Sequence, residues 1–229
     1  MRKAVLVGVL IAIVLVAVLG VVAYFYLHAP GGSVDARQQE RVVLVFESPA
    51  EDGATIAALI SIVADGQMRD VSPDTTATIP GTSKNRVSDA FVFGGASAVA
   101  RALGEGEDGG PTAYVGVPAA VWRRAVDASG GVTVNVPQKV TVFNGAELVT
   151  IPAGMQKLAS TQIAALLNGQ AYLSPAESTA LRQELAMRVA TALVASNPAT
   201  DSLKTDLSAA TLGEWLQDQL AVAVDVQEG

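Results

Sequence analysis

The stretch Val126-Asp127-Ala128-Ser129-Gly130-Gly131-Val132-Thr133-Val134-Asn135-Val136-Pro137 restricts the fold more than any other. It reads as a helix end, a reversal at a glycine pair, and a strand with Val132, Val134 and Val136 on one face. Further on, Ile151-Pro152-Ala153-Gly154-Met155-Gln156-Lys157-Leu158 reads as a second strand end turning into a helix. Two such junctions within one domain define a layered α/β fold.

Ala4 to Leu27 carries no charge over 24 residues. As a helix it would be about 36 Å long, enough to cross a bilayer core with some tilt. Arg2 and Lys3 precede it and the next cation is Arg37, so the N-terminus is expected inside and the domain outside. Tyr24 and Tyr26 suit the outer interface. The competing reading, a cleaved signal peptide with a Val21-x-Ala23 site, fits less well because the apolar run exceeds a signal core. The expected layout is cytoplasmic residues 1–3, a transmembrane helix over 4–27, a tether over 28–40, a domain over 41–220 and a strand or tail over 221–229.

The net charge of −7 becomes −9 once Arg2 and Lys3 are set aside, which disfavours nucleic acid as a partner. Cysteine is absent, so there is neither a disulfide framework nor thiolate chemistry. His28, the only histidine, sits at the membrane edge, away from any domain site. Half of the residues are hydrophobic, which supports a sizeable core.

Within the domain, Arg41–Phe46 and Ile56–Val63 read as buried strands, with a polar connection from Val63 to Val71. Ser88–Leu103 is helical with an interruption at Gly94-Gly95. Residues 104–111 contain a literal G-x-G-x-x-G, but Glu105, Glu107 and Asp108 would repel a phosphate. The loop reads as a solvated acidic turn rather than a calcium site. Tyr114–Val117 is a strand, and a helix bearing Trp122, read as a core residue, follows Pro118. Val132–Val136, Val140–Phe143 and Leu148–Ile151 form a strand set, with a hairpin signal at Asn144-Gly145. Ser160 caps a helix through Leu167. Ser174-Pro175-Ala176-Glu177 is a capping box, and the helix it opens stops at Asn197-Pro198. Thr211-Leu212-Gly213-Glu214 reads as another capping box, before an amphipathic helix with Trp215, Leu216 and Leu220.

Several of these segments together resemble the LytR-CpsA-Psr family: DAFVFGG at 89–95, AYVGVPAAVWRRAVDASGGVTVNVP at 113–137, IPAGMQKLASTQIAALL at 151–167, and the weaker RQ at 182–183 and KTDLS at 204–208. The resemblance implies a three-layer α/β/α sandwich with a mixed central sheet, preceded here by a single N-terminal transmembrane helix. It also implies transfer of a sugar-phosphate from polyprenyl pyrophosphate to peptidoglycan at the bacterial cell envelope. That chemistry requires a carboxylate holding a divalent metal, Mg2+ in an active member, arginines on the leaving phosphate, and an apolar tunnel.

The sequence departs from that pattern at the charged positions. Ala54 or Thr55 stands where the family has Asp, Pro73 where it has Arg, and Asn168 near a further Arg position. Neither proline nor asparagine replaces a bidentate guanidinium. Asp74 and Arg182 keep family-like chemistry and are the catalytic candidates. Arg69, Arg86 and Asn168 are lipid- or phosphate-binding candidates, and Asp52 and Asp74 are metal candidates. The bland alternatives are a solvated helix charge for Arg182 and a turn cap for Asp74. The leading expectation is a relative that binds a polyprenyl-phosphate-linked glycan or peptidoglycan partner with transferase activity reduced or lost. An active transferase with a rearranged site and a structural envelope protein are the alternatives.

Overall fold

The computed structural model describes residues 41–50, 53–104, 112–143, 147–168 and 173–228. The strands are β1 (Arg41–Pro49), β2 (Thr55–Ala64), β3 (Gln67–Asp70), β4 (Ala113–Val117), β5 (Val132–Val136), β6 (Val140–Phe143), β7 (Leu148–Ile151), β8 (Gly154–Leu158) and β9 (Lys204–Thr205). The helices are α1 (Val87–Gly104), α2 (Ala119–Ala128), α3 (Ser160–Asn168), α4 (Pro175–Ser196), α5 (Ala209–Glu214) and α6 (Ala221–Glu228). A π-helical stretch, Trp215–Leu220, joins the last two.

Five strands form the central sheet in the order β3-β2-β1-β4-β9. β1 and β4 run parallel, from Val42 opposite Ala113 to Phe46 opposite Val117. The remaining pairs are antiparallel, so the sheet is mixed. Alternation along β1 feeds two cores. Val43 and Val45 pack with Val87, Phe91 and Val99 of α1. Val42, Leu44 and Phe46 pack with Trp122 and Val126 of α2 and with Leu181, Leu185 and Val189 of α4. Helices therefore cover both faces, which is why β1 reads as a continuous apolar run.

Local signals explain most boundaries. Ser174 and Glu177 form the full capping box, and Asn197 ends α4 in the left-handed region. α1 kinks at Gly94 and Gly95, the latter at φ 64°. Gly131, at φ 97°, lies where an added Cβ would come within 2.8 Å of the Leu158 carbonyl oxygen. A side chain there would prise β5 from β8.

Several expectations change. The polar connection after Val63 contains β3, and Gly154–Leu158 forms a strand, β8, before the helix. The strand set divides: β5 pairs with β8, while β6 pairs with β7. α3 draws its cap from outside itself, because Ser160 donates its N–H and hydroxyl to the Asp127 carboxylate. The cap of α5 is Ser208, whose hydroxyl accepts from the Thr211 N–H. Residues 221–228 are helical rather than a strand or tail, with Ala223 and Val224 buried.

Among the described residues no helix is long and apolar enough to cross a membrane, and the 4–27 run lies outside them. So do residues 28–40, 105–111 and 144–145.

Trp122 is a core residue, as its sequence context suggests, and it ties α2 to the end of β1. Its indole N–H donates to the Glu47 carbonyl at 2.7 Å. Trp122→Phe removes that buried hydrogen bond and should cost about 1–3 kcal/mol. Urea unfolding checks this; a loss below ~0.5 kcal/mol would mean the bond contributes nothing.

Candidate functional site

The register of the sheet slips between β1 and β2, where Phe46 faces Leu59 but Glu47 faces Ala57. Ala58 is the extra residue, and its carbonyl turns to accept from Arg182 Nη1 at 3.0 Å. Arg182, projecting from α4, also grips Asp70 at the end of β3. Nε reaches Oδ2 at 3.1 Å and Nη2 reaches Oδ1 at 3.2 Å. Nη2 donates further to the Val71 carbonyl at 3.4 Å. The two side chains are only 6% and 3% exposed, so Arg182 is not a solvated helix charge. Gln183 completes the latch: its amide accepts from the Asp70 N–H and donates to the Met68 carbonyl at 2.8 Å. A side-chain amide thus satisfies β3 much as a neighbouring strand would.

Burial pushes the Asp70 carboxyl above its ordinary value, while the charge and hydrogen bonds of Arg182 pull it back. Burial prevails.

Asp74 lies in the turn leading to α1. Its carboxylate accepts from Arg86 Nη1 at 3.0 Å, with side-chain exposures of 75% for Asp74 and 61% for Arg86. The backbone N–H groups of Val87 and Ser88 donate to Thr75 and Pro73, fixing the turn against the helix start. Beside it a groove of about 420 Å³ is lined by Thr76, Thr78, Thr82, Ser83, Lys84 and Asn85 among others. Its lining contains no carboxylate, so it offers a cation no charge.

A further charged pair was not anticipated by pattern. Glu47, at the carboxyl end of β1, is 4% exposed. Both its carboxylate oxygens accept from Lys204 Nζ of β9, at 2.8 and 2.7 Å. On the following residue, buried Ser48 accepts from Arg123 Nη2 at 3.5 Å. The sequence signals were a glutamate closing an apolar run and a lysine in the KTDLS segment. Neither reveals the other, since they lie 157 residues apart.

The candidates therefore fall into separate groups. Arg182 joins Asp70 and Asp74 joins Arg86, each in its own pair. Arg69 bonds its neighbour Gln67 on an exposed surface. Asn168 is the last residue of α3, and Asp52 lies outside the described residues.

The fit to a divalent metal follows from the donors. Asp70 and Glu47 already carry a cationic side chain each, and Asp74 is exposed on Arg86. Among the described residues no three His, Cys, Asp or Glu side chains cluster to hold a metal ion. These residues do not fit one.

A mixed sheet with helices on both faces places the domain in the layered α/β class of folds. The model of the LytR_cpsA_psr family matches residues 52–213, and the chain belongs to that family. No curated protein is significantly similar in sequence. Among solved structures, the LytR-Csp2A-Psr enzyme from Actinomyces oris is 19% identical with a TM-score of 0.60, covering 82% of this chain and 78% of that one. The LytR-CPS2A-psr family protein YwtF (TagT), with bound octaprenyl pyrophosphate lipid, is 15% identical with a TM-score of 0.54, covering 82% and 75%. TagT bound to LIIa-WTA is 19% identical with a TM-score of 0.53, covering 81% and 78%. At these identities the likeness establishes the fold.

Two outcomes test the latch. Arg182→Met leaves Asp70 buried and unpaired and should cost about 3–5 kcal/mol in urea unfolding, whereas Asp70→Leu with Arg182→Met should cost less than the sum of the single changes. Strict additivity would show that the pair is not coupled. The second outcome concerns pH. The folded Asp70 carboxyl titrates above its unfolded value, so its contribution is full below the unfolded value and is lost as pH rises through the folded one. Asp70→Asn should remove that decline from the stability–pH curve; an unchanged slope would contradict the assignment.

Proposed function

We propose that this is a membrane-anchored, extracytoplasmic member of the family that binds a polyprenyl-phosphate-linked glycan or cell-wall partner with its transferase activity reduced or lost. The observation that carries this reading is the state of the retained charges. Arg182 is committed to Asp70 and two carbonyls, and is 5% exposed, so it presents no guanidinium to a leaving phosphate. Asp74 is held by Arg86 in an exposed turn. Where the resemblance calls for further charges, the chain has Ala54 or Thr55, Pro73 and Asn168. Transfer from a pyrophosphate requires positive charge on the departing group, and these side chains supply none.

Binding without transfer is supported by two further facts. The family fold is intact, and a protein of similar fold, TagT, holds octaprenyl pyrophosphate in its solved structure. The uncharged run over 4–27, with Arg2 and Lys3 before it, supports a single-pass bacterial membrane anchor with the domain outside over 41–220 and a tether over 28–40. An apolar anchor of this kind would hold the domain beside lipid carriers in the same leaflet.

Flotation of the full chain with vesicles tests the binding. Vesicles containing long-chain polyprenyl phosphate should compete for a fluorescent polyprenyl phosphate bound to the protein, while vesicles lacking it should not. Equal competition by both would reduce the interaction to the anchor alone and overturn the reading.

A further inference from the structure

In the Glu47–Lys204 pair the acid is buried and the base exposed: the carboxylate side chain is 5% exposed and the lysine side chain 59%. They sit at the carboxyl end of the parallel β1–β4 pair, the end at which open α/β sheets take their ligands. Gly116 of β4 gives the lysine its course. A Cβ added there would lie 3.3 Å from Lys204 Cβ and 3.1 Å from Ala96 Cβ, so the lysine stem crosses the sheet over a residue with no side chain. The ammonium has three donors, and the two carboxylate oxygens take two of them.

A buried carboxylate paired with an exposed ammonium is a poor way to gain stability, because desolvating the carboxylate offsets a solvent-weakened attraction. An apolar pair would serve the fold as well. What the arrangement achieves is a carboxylate permanently loaded with a cation on both oxygens, as a bidentate carboxylate is by a divalent metal ion. Among the described residues no three His, Cys, Asp or Glu side chains come together to hold such an ion.

We infer that Lys204 is a built-in counter-cation: its ammonium holds the place on the Glu47 carboxylate that a divalent metal ion would otherwise take. Recognition of a phosphate-bearing group at this end of the sheet is therefore independent of metal. The carboxylate–cation–phosphate order is kept, with a fixed single charge replacing a mobile double one. The anion rests on the function proposed above; the filling of the cation position rests on the Glu47–Lys204 geometry alone.

The test uses the full chain in detergent, with Mn2+ followed by electron paramagnetic resonance and inorganic pyrophosphate by calorimetry. Wild type should hold no Mn2+ on Glu47 and should bind pyrophosphate equally in EDTA and in Mg2+. Lys204→Met should bind Mn2+ at least about tenfold more tightly than wild type, the effect of removing one unit charge a few ångströms away. Glu47→Gln combined with Lys204→Met should lose that gain. A Mn2+ ion on wild type that Glu47→Gln releases would overturn the inference, and so would a Lys204→Met protein with no gain. Should Lys204→Met fail to fold, the comparison of wild type with Glu47→Gln decides: released Mn2+ overturns it, and no bound Mn2+ in either supports it. Wild type binding neither pyrophosphate nor polyprenyl phosphate would sink the proposed function while leaving the Mn2+ comparison to decide this point.

Discussion

The guanidinium of Arg182 is the joint on which the domain depends. From one buried position it holds the bulge carbonyl of Ala58, both oxygens of Asp70 and the carbonyl of Val71. It thereby connects β2, the end of β3 and α4 through a single side chain. An arginine suits this task because its five donors are fixed in one plane, so they can serve a carboxylate and separate carbonyls at once. Gln183 adds the two bonds that close the outer side of β3. The short strand is thus anchored by polar side chains as much as by packing.

That commitment has a functional consequence. A guanidinium used to fasten a strand is lost to phosphate chemistry, and the same economy recurs elsewhere in the domain. Asp74 is held by Arg86, and Glu47 by Lys204. Asp70, Asp74 and Glu47 each meet an opposite charge within the protein. The proposed function rests on this internal pairing, because cleaving a pyrophosphate calls for charge aimed at the departing group.

Much of the fold is legible in the sequence because its central elements are strongly patterned. β1 and β2 are continuous apolar runs, α4 carries its capping box and a four-residue leucine and valine repeat, and Gly130-Gly131 marks the turn into β5. What escapes is locally ambiguous. In β3, Met68 is the only apolar residue of four, so no alternation announces a strand. β8 buries only Leu158. Ala221–Val226 alternates like a strand, yet it continues directly from a π-helical stretch whose Trp215, Leu216 and Leu220 are buried. The helix already under way carries through. The candidate site was legible by residue but not by partnership. Arg182 and Asp74 could be named from motifs, whereas Asp70 lies 112 positions from its arginine and Lys204 lies 157 from its glutamate. No periodicity encodes a contact of that span; only the assembled sheet does.

The central claim is that a family fold has been retained while its charges are spent internally. Mass spectrometry of a polyprenyl-pyrophosphate-linked glycan, incubated with the full-length protein, magnesium and a peptidoglycan acceptor, addresses it most directly. The account predicts that the lipid is recovered intact and associated with the protein. Repeated release of polyprenyl phosphate with the glycan-phosphate joined to the acceptor would contradict it.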